Sequence, residues 1–311
     1  MTYLVSDNSD QSSRLKTFIR LAFDYLTLMK PSIILLLLVT TLPAMVLAEE
    51  GWPGWGLVSS TFFGLILSAG GAAALNMAAD AEIDALMDRT KSRPIPRGAI
   101  KPRNAVIYGL VLGIISGVWF WWMVNPLSMA LALFAFFYYG IVYSLFLKRK
   151  TVHNTVLGGV AGALPVLIGW TAVTNGINPT GILLFLIVFC WQPPHFWALS
   201  LGLIRDYAAA KIPMAPNVIG SELTKKQMVL WSSLTLLTSI LFTFVASMGW
   251  FYLIVAFVTG VGFLLISLRL TREAGSQGAR GMFRYSTIYL SLLFGAMVID
   301  QAFFPSFIDK A

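Results

Sequence analysis

Nine long apolar stretches run through the 311-residue chain, and they decide the solvent in which it can fold. A helix crosses the hydrocarbon core of a bilayer with about 20 mainly apolar residues. By that ruler the stretches lie at about 22–48, 55–79, 104–124, 126–147, 154–174, 179–203, 227–247, 249–270 and 284–304. Joints such as Asn125-Pro126 and Met248-Gly249 are so short that the spans on either side must be antiparallel neighbours. Charged residues make up only 12% of the chain against 57% hydrophobic, whereas soluble domains average about 25% charged. A soluble two-domain enzyme, a disordered chain and a nucleic-acid-binding domain are excluded on that ground. The single cysteine, Cys190, rules out an intrachain disulfide framework, and no Cys/His spacing resembles a zinc site. The expected fold class is all-α: a polytopic membrane protein of about nine transmembrane helices, one integral-membrane domain over 1–311 with a polar leader at 1–16.

The net charge of +8 is read as topology, not as affinity for an acidic polymer. Arg14, Lys16, Arg20 and Lys30 belong to the start of the first span, and six basic residues from Arg89 to Arg103 lie between the second and third. Lys148, Arg149 and Lys150 follow the fourth span; Arg205, Lys211, Lys225 and Lys226 follow the sixth; Arg269, Arg272, Arg280 and Arg284 flank the last joint. Of the 22 Lys and Arg, only Lys310 falls on the other side. The positive-inside rule then puts the N-terminus in the cytoplasm and the C-terminus outside. The leader carries Asp7 and Asp10, unlike an acid-poor mitochondrial presequence, and the expected location is a bacterial plasma (inner) membrane.

With 14 acids in the chain, their clustering carries information. Asn76, Asp80, Asp84 and Asp88 recur every four residues at the cytoplasmic end of the second span, in GGAAALNMAADAEIDALMDRTKSRPIPRG. On a helix that spacing gives one stripe holding an amide and three carboxylates. Like charges so placed repel, and Mg²⁺, a hard ion that shares carboxylates with substrate phosphates, removes the penalty. The alternative is a set of solvated acids balanced by Arg89, Lys91, Arg93 and Arg97. Asn76 and Asp80 still lie in the apolar register, where polar groups are costly. The preceding Gly70-Gly71-Ala72-Ala73-Ala74 allows close helix approach or leaves room for a bulky apolar ligand.

Two further cytoplasmic joints are rich in polar groups. YSLFLKRKTVHN supplies Tyr143, Lys148 and Arg149. CWQPPHFWALSLGLIRDYAAAKIPM places His195 beside Pro193-Pro194, where the span is expected to kink or break. Asp206, Tyr207 and Lys211 then fall at the cytoplasmic mouth.

Taken together these segments resemble the intramembrane aromatic prenyltransferase superfamily, and within it the haem-prenylating branch. The pieces that match are NMAADAEIDALMDRTKSRPIPRG, YSLFLKRKTVHN with the following GGVAGALPVLIGW, and WQPPHFWALSL with RDYAAAKIPMAPNVIG. They cover most of the chain, from about Asp24 through the ninth span. The resemblance implies a cytoplasm-facing cavity in which Mg²⁺ holds a prenyl diphosphate, with farnesyl diphosphate and haem B as substrates. Asn76, Asp80 and Asp84 match the first aspartate-rich motif and Asp206 the start of a second, giving four expected metal ligands. The second motif's closing acid is replaced by Ala210, which puts a symmetric second metal cage in doubt.

Asp80, Asp84, Lys148 and Tyr143 are the expected catalytic residues, and Asn76, Arg93, Arg97 and Arg149 are expected at the diphosphate. Trp191 and Trp197 would line a dry cavity with Tyr143 and Phe196, stabilising positive charge by cation–π contact, or would be ordinary packing. His195 would ligate the haem iron, orient the macrocycle, or only bond a neighbouring backbone; His153 is the weaker choice. Asp206, Tyr207 and Lys211 complete the expected substrate site. Beyond the bilayer, the implied partner is a downstream haem A synthase, with no nucleic acid. Two other readings stand beside this one: prenylation of a quinone precursor or chlorophyllide, and a secondary transporter, which would carry acids near the bilayer midplane.

Overall fold

A computed structural model describes residues 5–304, with side chains from Leu15 onward. The first four residues of the polar leader and the expected external C-terminus with Lys310 lie outside the described residues.

Among the described residues nine helices are long and apolar enough to cross a membrane. An extra helix, α1 (Val5–Leu28), precedes the first of them, α2 (Pro31–Glu49). The two are separated at Met29-Lys30, where Lys30 takes φ 56°. The first span therefore begins at Pro31 and not near 22. Proline cannot donate to the preceding turn and is pre-set for the first helical position, so Pro31 starts a new helix instead of continuing the old one. The same signal opens α5 (Pro102–Met123), α6 (Pro126–Lys150) and α8 (Pro179–Leu201). The Asn125 and Asn178 side chains cap the last two by accepting from Ser128 N and Gly181 N.

The remaining spans are α3 (Trp55–Ala79), α7 (Asn154–Thr174), α11 (Ser221–Val245), α12 (Trp250–Leu270) and α13 (Ala279–Phe303). Short helices α4 (Ala81–Leu86), α9 (Ile204–Ala209) and α10 (Ala215–Val218) lie in the joints. Each span packs on the next, and α13 returns against α2 to close the circuit. Contacts of α2 with α7 and of α8 with α13 cross it. The largest core lies among α7, α8, α11, α12 and α13, around Trp191, Trp197, Phe242, Tyr252, Phe263 and Tyr289.

Two local features position the site. First, Gly71 on α3 and Gly109 on α5 face each other so closely that a Cβ on either would lie 2.7 Å from the other's carbonyl oxygen. The small-residue run is therefore used for helix approach, not left open for a ligand. Second, α6 is π-helical over Tyr138–Leu147, and Lys148 N accordingly donates to Tyr143 O, five residues back. The wider turn stacks Tyr139 on Tyr143 at 5.5 Å and ends by delivering Lys148. At Pro193-Pro194, by contrast, α8 runs on without a break. Side chains beside the prolines tie α8 to its neighbours: Gln192 donates to Gly159 O on α7 and Trp191 to Ser286 O on α13.

Candidate active site

Lys30, the end of α3, the 80–101 joint and the end of α6 meet at one end of the bundle. Asn76, Asp80 and Asp84 are 3%, 1% and 2% exposed, a burial that solvated acids would not show. Asp80 closes α3 and precedes α4, and the chain keeps helical bonding across it: Asp80 N donates to Asn76 O and Asp84 N to Asp80 O. The three side chains thus stay on one stripe. α4 ends at Leu86, so the fourth member of the repeat leaves it. Asp88 is exposed and pairs with Lys91 at 2.6 Å.

A cation sits on each of the three buried side chains. Lys30 Nζ donates to Asn76 Oδ1 at 2.6 Å, Lys148 Nζ to Asp80 Oδ2 at 2.5 Å, and Arg93 to Asp84 Oδ2 at 2.7 Å. The Asn76 amide donates in turn to Asp80 Oδ2 at 3.0 Å and to Ser144 Oγ at 2.9 Å. Thr90 Oγ1 donates to Asp84 O. Burial pulls the Lys30 ammonium down to about 8, Arg93 pushes the same way, and Asp80 and Asp84 oppose them. Asp80 Oδ1 is buried with no hydrogen-bond partner. A buried carboxylate oxygen left free beside an amide oxygen and a second carboxylate fits the hard-oxygen donor set of a divalent cation.

The other expected residues are placed unevenly. Arg149 donates to Ala79 O, at the foot of the acid stripe. Arg97 instead pairs with Asp24 on α1. Tyr207, on α9, packs against the buried cluster of Met87, Ala210, Ile212 and Met214 and bonds Arg89; burial raises its phenol pKa. The second joint is thereby laid against the first. Asp206 is half-buried, and among the described residues no three of His, Cys, Asp and Glu gather to hold a metal, so Asp206 is not drawn into a cluster with Asp80 and Asp84. Lys211 is exposed in a left-handed turn at φ 54°.

His195 lies in a different cluster. Its ring is stacked between Trp191 at 4.3 Å and Phe283 at 4.4 Å, and Nδ1 shares a 2.7 Å hydrogen bond with Ser286 Oγ. Trp197 is 2% exposed in the main core, and its indole N–H has no partner. Lys30, Tyr139 and Ser144 are functional neighbours that spacing alone does not reveal. The signal for Lys30 was a lysine inside an apolar stretch, beside a proline.

Residues 37–293 match the model of the UbiA prenyltransferase family. The chain is 44% identical over 278 residues to a protein from Chloroflexus aurantiacus named protoheme IX farnesyltransferase, covering 89% of this chain and 47% of that one. A protein of the same name from Cutibacterium acnes is 45% identical, with 89% of this chain and 84% of the relative covered. The chain thus spans about half the length of the Chloroflexus relative and most of the Cutibacterium one. A UbiA homologue from Archaeoglobus fulgidus, solved with DMAPP and Mg²⁺, superposes with TM-score 0.62 at 18% identity, covering 88% of this chain and 99% of the homologue. That likeness is one of fold. Motif, burial and sequence agree, and the chain belongs to the UbiA prenyltransferase family.

Proposed function

We propose that this chain transfers the farnesyl group of farnesyl diphosphate to a vinyl group of haem B, with addition of water, giving haem O and diphosphate. The observation that carries the reading is the buried Asn76, Asp80 and Asp84 trio with its orphaned Asp80 oxygen. The substrate pair comes from the relatives named protoheme IX farnesyltransferase. Metal dependence is supported by the homologue solved with DMAPP and Mg²⁺. Asn76, Asp80 and Asp84 would hold the ion, and Asp206, outside that cluster, would reach it only through water or the diphosphate. Mg²⁺ bound there supplies positive charge against the diphosphate oxygens.

The chain's own cations do the complementary work. Lys148, Arg93 and Arg149 already surround the acid stripe and can turn to the diphosphate, stabilising the charge that grows as the farnesyl C1–O bond breaks. Arg97, held by Asp24, acts further out. The allylic cation accepts the vinyl π electrons to form the new carbon–carbon bond. Water adds to the cation left on the haem substituent, and one proton is released. Until then the cation must be kept from bulk water. The stacked Tyr139 and Tyr143 would form an aromatic wall beside the acids, with Tyr207 and Lys211 meeting substrate from the 202–214 joint.

Trp191, His195 and Trp197 are assigned to the haem side. Product would pass to a haem A synthase. The chain acts as one membrane domain in a bacterial plasma membrane, with its basic joints in the cytoplasm. Purified protein incubated with haem B, farnesyl diphosphate and Mg²⁺ should yield a product heavier than haem B by one farnesyl group and one hydroxyl in the mass spectrum. A farnesylated quinone precursor with unmodified haem would overturn the acceptor.

A further inference from the structure

Helix α1 carries a surface that the described bundle leaves open. Every residue from Leu15 to Phe23 is exposed, and the first buried position is Asp24. At about 100° per residue, Leu15, Phe18, Ile19, Phe23 and Leu26 fall in one arc roughly 140° wide. They are 59%, 69%, 44%, 64% and 50% exposed. Lys16 and Arg20 run along one edge of the arc, and no acid occurs between Asp10 and Asp24. Away from the arc, three residues tie the helix to the bundle. Asp24 pairs with Arg97, Tyr25 meets Tyr108 edge-on at 5.0 Å, and Leu28 packs with Met77 and Ile95.

We infer that α1 is an interfacial arm, with its apolar arc among the acyl chains at the bilayer surface and Lys16 and Arg20 on anionic lipid headgroups. The arm ends at Lys30, one residue before α2 begins its crossing, so it leaves the bundle at the level of the membrane surface. A helix with Phe, Leu and Ile on one side and cations at the edge is suited to the boundary between headgroups and acyl chains. There the lysine and arginine stems lie along apolar surface while their charges reach phosphate. Net positive charge without a nearby acid selects an anionic surface. The arm's seat also fixes the joint that carries Lys30 to Asn76.

Cys190 is the chain's one cysteine and is buried, so a thiol-reactive, environment-sensitive dye can be directed to Phe18→Cys in the full chain. After reconstitution, the dye should be blue-shifted and quenched by lipids spin-labelled near the carbonyl level. Quenching should be at least twofold stronger in vesicles containing phosphatidylglycerol than in phosphatidylcholine alone. Lys16→Gln combined with Arg20→Gln should abolish that difference. Labelling at Leu15→Cys gives a second position, so loss of one apolar anchor cannot mimic a negative result. An aqueous dye in both lipids, equal quenching in both, or energy transfer between labelled copies regardless of lipid would overturn the inference.

Discussion

Asp80 and Asp88 belong to one four-residue repeat, yet the first is 1% exposed and the second stands in solvent. Asp80→Asn keeps the shape and removes the charge; turnover should fall on the order of 100-fold or more, whereas Asp88→Asn should stay within about twofold of the parent, because surface pairs contribute little. Product formation at saturating Mg²⁺ measures both, and equal effects would sever the buried trio from catalysis. Alanine is the poorer probe at Asp80. It would also remove the oxygen to which Lys148 and the Asn76 amide donate, and leaving buried polar groups unsatisfied costs about 1–3 kcal/mol. At His195 the two stacked rings and the Ser286 bond allow a packing role and a haem role, and binding separates them. His195→Ala should weaken haem B about tenfold or more by absorption titration, a scale set by the loss of roughly 1.4 kcal/mol, and leave a non-hydrolysable farnesyl diphosphate analogue unaffected. Asp80→Asn should do the reverse. Equal losses of both ligands in His195→Ala would leave the imidazole only a structural part. The repeat itself was legible in the sequence. The apolar register also pointed to Asn76 and Asp80 as the buried members; the burial of Asp84 did not show locally, since it depends on α4 continuing the stripe to Leu86.

Helices opened by Pro102, Pro126 and Pro179 were the most legible elements, because each proline declares a first turn, whereas the same signal at Pro31 was passed over. The Lys30 break in the first span and the π-helical stretch of α6 were not legible. Both depend on distant partners: Lys30 on Asn76 and Tyr139, Ser144 on the Asn76 amide. The Pro193-Pro194 pair misled for the same reason, since the helix is held from both sides by α7 and α13. Close approach of α3 and α5 can be tested directly. Gly109→Ala would place a methyl 2.7 Å from Gly71 O, and backbone cannot yield as a side chain can. A loss of about 1–3 kcal/mol is expected for such overpacking, read as a lower melting temperature in detergent. Gly56→Ala, which meets nothing within 4 Å, should leave it unchanged. A fall of the same size in both variants would mean that glycine flexibility, not the α3–α5 contact, is at stake.

At the scale of the whole molecule, the circuit of nine spans brings to one end every group assigned to the diphosphate: the α1–α2 joint, the α3 end, the 80–101 segment and the α6 end. That end is also where the basic residues gather, so the charge from which orientation is read is the same charge the proposed mechanism uses. In the positive-inside rule, Lys and Arg in short joints stay on the cytoplasmic side, and the 80–101 and 148–153 joints carry them while the 49–54 and 175–178 joints carry none. In the proposed reaction the farnesyl donor carries its anion at the head, so a site at the end that the rule assigns to the cytoplasm would meet it without moving charge across the bilayer, a transfer that is strongly disfavoured. Cysteine accessibility checks this with the same single-thiol background. Lys150→Cys should react with a membrane-impermeant maleimide only after the vesicles are opened from the cytoplasmic side, and Gly51→Cys should react from outside in intact cells. The two positions lie at opposite ends of the bundle because three spans, α3, α5 and α6, separate them. If both cysteines label from the same side, one span does not cross and the circuit is not transmembrane throughout. If they label from opposite sides in the inverted sense, the bundle stands but its site faces outward, and the donor would have to come from there.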